Sequence, residues 1–157
     1  MSHLKISIVV TVLLLGLGLT HSELTTAQIP GVRESHIDGN VPEKKDFDRF
    51  LKRDLTAFFQ EGTKGRVRVE YELLRKEPTQ SGVAFPKFYL WVKAFQGRKL
   101  LVEGAARVAA VEKKRFDVVN FREKAEIQKD PDAVANAFPA ALVPEILRRA
   151  GVKPATN

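Results

Sequence analysis

"LVEGAARVAAVEKKRFDVVNF", residues 101–121, decides the fold, because its two halves favour different structures. The alanines suit a helix, and a helical stripe can be drawn through Val102, Ala105, Ala106 and Ala109. Such a helix would lack an N-cap and would begin at Gly104. A strand beginning at Leu100 instead puts Leu100, Val102, Gly104, Ala106, Val108 and Ala110 on one face, with Leu101, Glu103 and Arg107 among the residues on the other. Gln96–Gly97 before it and the charged "EKKR" at 112–115 after it read as turns that pair the strand with a neighbour on each side. We therefore read a strand. Gly104 and the alanines on its inner face let it bend, so that a helix can lie close against it.

The neighbours support this reading. "RVRVEYEL" (66–73) alternates, with Val67, Val69, Tyr71 and Leu73 on one side and Arg66, Arg68, Glu70 and Glu72 on the other. "KEPTQSG" (76–82) turns the chain into "KFYLWVKAF" (87–95), with Phe88, Leu90, Val92 and Ala94 on one face and Tyr89, Trp91, Lys93 and Phe95 on the other. "RFDVVNFREKAEI" (115–127) alternates less well and predicts a last strand with a bulge.

Ahead of the strands, "PEKKDFDRFLKRDLTAFFQEG" (42–62) repeats apolar residues at helical steps through Phe47, Phe50, Leu51, Leu55 and Phe58. Pro42 suits the first turn and Gly62 the residue past the end. Behind the strands, "DPDAVANAF" (130–138) opens a helix with Asp130 as N-cap and Pro131 at its first position. "PEILRRAG" (144–151) predicts a separate short helix that stops at Gly151.

The N-terminus, "MSHLKISIVVTVLLLGLGLTHSELTTAQ", has one basic residue, Lys5, an apolar run from Ile6 to Leu19, and then small and polar residues. This is the layout of a secretory signal peptide, and the run is shorter than the roughly 18 to 20 residues of a membrane-spanning helix. Cleavage is expected after Ala27, with Ser22 as the other site that fits. Residues 28–41, with Pro30, Gly31 and Gly39, read as an extended arm; residues 42–152 as one domain; residues 153–157 as a tail. With no cysteine and no Asn-x-Ser/Thr site, the chain fits a bacterial periplasm or cell exterior, and after cleavage no integral membrane span is expected.

A helix, four meandering antiparallel strands and short C-terminal helices make an α+β fold in which a curved sheet wraps the first helix. This order resembles the cystatin-like and NTF2-like folds over roughly residues 42–150, in element order alone. The resemblance does not extend to protease inhibition: where cystatins carry Gln-x-Val-x-Gly, "QSGVA" (80–84) has Gly82 and Ala84 in place of the valine and the glycine.

Catalytic chemistry finds little material. Beyond residue 27 there is one histidine, His36, and two serines, Ser35 and Ser81. His36 with Asp38 does not make a metal site without distant carboxylates, so no metal, cofactor or catalytic residue is expected. Glu70, Glu72 and Glu103 share a face, but Arg66, Arg68, Lys93 and Arg107 stand beside them, which points to cross-strand ion pairing. NTF2-like enzymes place acids or histidines inside the cone of the sheet, whereas the inner positions here are apolar.

The feature that stands out is the outer side of the second strand. Tyr89, Trp91, Lys93 and Phe95, with Arg68 and Arg107 as neighbours, form an aromatic-basic face suited to a sugar, an anionic polymer or an envelope protein; nucleic acid is not expected. The competing reading is that Val134, Phe138, Leu142, Ile146 and Leu147 of the C-terminal helices cover this face. Lysine and arginine outnumber acids 26 to 19, a net charge of +7 that serves either solubility or attraction to an anionic partner. The sequence thus predicts an exported, non-catalytic binding or assembly module of the cell envelope, with a small NTF2-like enzyme or pocket protein as the alternative.

Overall fold

A computed structural model describes residues 36–152. The expected signal peptide, the first part of the arm and the tail lie outside the described residues. Helix α1 spans Lys44–Gln60, with Asp46 in its first turn and Leu51 and Leu55 buried on its inner face. Four strands follow: β1 (Val67–Leu73), β2 (Lys87–Gln96), β3 (Lys99–Val111) and β4 (Arg115–Glu123). They form one antiparallel sheet in sequential order. The chain ends in α2 (Lys124–Lys129), α3 (Ala133–Ala137), a 3₁₀ turn (Ala140–Leu142) and α4 (Val143–Ala150). The α+β class and the order of elements are as the sequence predicts.

The opening stretch is strand, from one end of β3 to the other. The β2–β3 connection places Gly97 at the first of two central positions with φ 59, which a II′ hairpin requires. α1 touches both edge strands, β1 and β4, so the sheet curls around it. Between them Leu51, Leu55, Leu90, Val92, Ala106 and Val108 are closed to solvent, and Phe47 packs edge-on against Phe88 and Phe116 at 5.0 Å. Burying a Leu or Val side chain contributes about 1.5–3 kcal/mol, so this layer is a major source of stability.

A second apolar layer lies on the other side of the sheet. Ala105 of β3 and Tyr89 and Trp91 of β2 meet Ile127, Val134, Phe138, Leu142 and Ile146 from the C-terminal helices. The central strands are therefore covered on both faces, and the alanines of "AARVAA" are small because a layer packs on each side.

Several expectations are corrected. Gly104 does face a close approach, but from a strand: a Cβ there would lie 2.1 Å from the carbonyl oxygen of Arg122 on β4. The anticipated bulge in β4 falls at Val119, where pairing shifts between Arg107 and Val108. A second bulge, opposite Ala94–Phe95, was not expected; it turns Leu100 outward and Leu101 toward the core. Phe58 is exposed, and its neighbour Phe59 takes the core position. The last strand stops at Glu123, because Glu123 and Glu126 form a reciprocal capping box that starts α2 and directs Ile127 inward.

The described part of the arm, residues 36–40, is helical rather than extended. Asn40 holds it down. Its side-chain amide donates to the His36 carbonyl at 2.8 Å, its Oδ1 accepts from the Glu112 amide at 3.1 Å, and its carbonyl accepts from the Lys113 amide at 2.9 Å. Glu112 and Lys113 have φ of 51 and 58, a left-handed turn that costs side-chain-bearing residues energy and that Asn40 holds in place.

Candidate functional site

The residues expected to form one exposed aromatic-basic face are divided by the C-terminal helices. Tyr89 and Trp91 are buried, only 4 % and 6 % exposed, beneath α2, α3 and α4, so the competing reading of that face is the observed one for these two rings. The hydroxyl of Tyr89 lies 2.6 Å from Thr79 Oγ1, which satisfies it within the fold. Arg107, opposite Tyr89, turns its guanidinium to the last turn of α3 and donates to the Ala137 carbonyl at 3.0 Å. It supports the helices and is not part of an open surface.

Lys93, Phe95 and Arg68 lie beyond the helices, on the uncovered part of the same sheet face. The Arg68 guanidinium stacks 4.5 Å above the Phe95 ring and pairs with Glu70. Lys93 is exposed and sits 3.9 Å from Glu103 across the β2–β3 pair. Where the sheet emerges from under α4, a groove of about 620 Å³ opens. It is lined by Tyr71 and Trp91 and by charged residues of β1, β2, β3, α2 and α4.

The acids anticipated on one face, Glu70, Glu72 and Glu103, all line this groove, and each is ion-paired. Glu103 on β3 accepts from Lys124 of α2 at 2.5 Å. Glu72 of β1 receives two hydrogen bonds from Arg149 of α4, at 2.8 and 2.6 Å. Arg149 also holds Glu145 one turn earlier, at 2.6 Å, and Arg148 grips the same carboxylate at 2.7 Å through two nitrogens. The hydrogen bonds from Arg148 and Arg149 push the Glu145 carboxyl down to about 2, and Arg149 likewise holds Glu72 below its ordinary value. Both stay ionised at neutral pH.

Lys124, Glu145, Arg148 and Arg149 did not figure among the expected site residues. The i,i+3 and i,i+4 spacing of Glu145 to Arg148 and Arg149 was a readable sign of a charged helix face. That this face meets β1 depends on where α4 docks. Among the described residues, no three His, Cys, Asp or Glu side chains gather as a metal site would require, and no helix is long and apolar enough to cross a membrane. His36, at the far end of β2, lies within 3.2 Å of the Ala84 carbonyl through Nε2 and stacks on Phe85 at 6.3 Å.

No family model, curated protein or solved structure matches this chain.

Proposed function

We propose that this chain is a non-catalytic binding or assembly module of the cell envelope, exported and released near Gln28, whose contact surface is the ion-paired groove. The observation that carries the reading is the pairing itself: every carboxylate lining the groove is engaged by a lysine or arginine. A general acid or base needs a proton affinity near the working pH, and the hydrogen bonds at Glu72 and Glu145 move those groups away from it. The layer between α1 and the sheet, where an NTF2-like enzyme keeps its pocket, is filled here with Leu51, Leu55, Leu90 and Val108.

Paired surface charges serve recognition by exchanging partners. A groove carrying both signs suits a protein surface that also carries both, and disfavours a polymer of a single sign, whose charges would meet Glu70, Glu72 and Glu103. The test is complementation of a gene deletion by Lys93→Glu combined with Arg148→Glu, against Lys45→Glu on the exposed side of α1. Loss of complementation with unchanged folding in the groove variant alone is the expected result; full complementation by it overturns the reading. Export is checked separately, by N-terminal sequencing of the protein from the producing cells, where an intact Met1 would contradict release.

A further inference from the structure

The end of the domain away from the N-terminal arm brings two short turns together. The α1–β1 loop, 61–66, is held by Gln60, whose side chain donates to the carbonyls of Thr63 and Gly65 at 3.0 and 2.7 Å and accepts from the Val67 amide at 2.9 Å. Beside it lies the β2–β3 hairpin, because Val67 pairs with Gln96 and the Gln96 side chain donates to the Lys64 carbonyl. Lys64 and Arg66 on one turn and Arg98 and Lys99 on the other are thereby gathered on one tip, all exposed. None of the four makes an ion pair among the described residues, whereas the cations of the groove do. Next to them the β3 bulge turns Leu100 into solvent, 43 % exposed, on the sheet face that carries Arg68 and Phe95.

We propose that this tip docks on an anionic lipid surface, with the four cations at the headgroups and Leu100 entering the interface. The proposal concerns a different surface from the groove and does not depend on it. Charge alone would suit any polyanion. The exposed leucine beside the cations is what favours a bilayer, since a soluble polyanion offers nothing apolar for it to enter. The two turns are also braced by side-chain hydrogen bonds, so the cations are gathered before contact.

The full chain has no cysteine, so Leu100→Cys gives a unique position for an environment-sensitive fluorophore, and Val83→Cys, at the opposite end of β2, gives the control. With vesicles of phosphatidylglycerol and phosphatidylcholine, the label at 100 should shift to the blue and lose access to an aqueous quencher, while the label at 83 should not change. Vesicles of phosphatidylcholine alone correct for any contribution of the apolar Ile6–Leu19 run. Replacing Arg98 and Lys99 with glutamine should lower the anion-dependent partitioning about 25-fold, from roughly five-fold per cation or about 1 kcal/mol each. An unshifted label at 100, equal shifts at 100 and 83, or partitioning unaffected by the double substitution would each overturn the proposal. So would binding of a soluble polyanion such as polyphosphate that depends on Arg98 and Lys99 while the label at 100 stays in water on vesicles.

Discussion

Arg149 in the last turn of α4 donates two hydrogen bonds to Glu72 of β1, so the final helix is tied to the first strand across the groove. The Glu72 and Glu145 carboxyls that share this arginine are both held below their ordinary values. The stability contributed by Glu145 is complete above about pH 4.5 and is lost as the pH falls toward 2, and that of Glu72 is lost in the same direction. Urea unfolding of wild type should therefore weaken below pH 4.5, and Arg149→Gln should lose less over that interval, because part of the dependence has been removed. Equal losses in the two proteins would show that the pairs are energetically idle. At neutral pH the difference between them should be small, since the carboxylates are open to solvent.

Trp91 reports on the layer beneath the C-terminal helices. With 6 % of its surface exposed, its emission should be that of a buried indole and should resist aqueous quenchers. Trp91→Ala should cost about 3–5 kcal/mol, measured by chemical denaturation. A red, freely quenched emission would mean that α2, α3 and α4 do not cover the sheet in solution.

Gly104 admits no side chain. A Cβ at 2.1 Å from the Arg122 carbonyl oxygen overlaps strand backbone, which cannot swing aside as a flexible side chain can. Gly104→Ala should destabilise by about 2 kcal/mol or more, with amide exchange accelerated first along β4. Unchanged exchange protection in β4 would contradict the close approach.

Asn40 and His36 are neighbours in one helical turn with unequal duties. Asn40→Ala removes the acceptor of the Glu112 amide and should cost about 1–2 kcal/mol. His36→Ala loses a surface stack on Phe85 and a contact of 3.2 Å with the Ala84 carbonyl, and should cost about 0.5 kcal/mol or less. Lys113→Gly, which relieves a left-handed φ of 58, should recover part of the Asn40→Ala loss. Equal thermal shifts for the Asn40 and His36 variants would argue against the clasp.

Local pattern made much of the fold legible. The period of two in "RVRVEYEL" and the period near 3.6 from Phe47 to Leu55 named β1 and α1 correctly, and Gly97 and Gly151 marked a hairpin and a helix end where they adopt positive φ. The capping box of α2 stands in the sequence, yet "FREKAEI" continues the alternation of β4 and reads as strand; only the reciprocal bonds of Glu123 and Glu126 break it. The bulge beside Phe95 had no local signal. A register shift arises from the pairing of two strands, so neither strand announces it.

By itself, then, the sequence determined the strand reading of residues 100–110, the two-faced character of β2, and the presence of acids and bases together on one side of the sheet. Only the tertiary structure decided which part of that side meets solvent. Tyr89 and Trp91 alternate with Leu90 as a wet face would, but apolar residues on α2, α3 and α4 bury them, while Lys93 and Glu103, further along the same strands, stay open in the groove. The physical reason is that alternation records which residues share a face, whereas burial depends on where the last three helices come to rest. That position is set by contacts between residues far apart in the chain, the apolar packing of Ile127, Phe138 and Ile146 on Tyr89 and Trp91, with the hydrogen bond of Arg107 to Ala137 beside it.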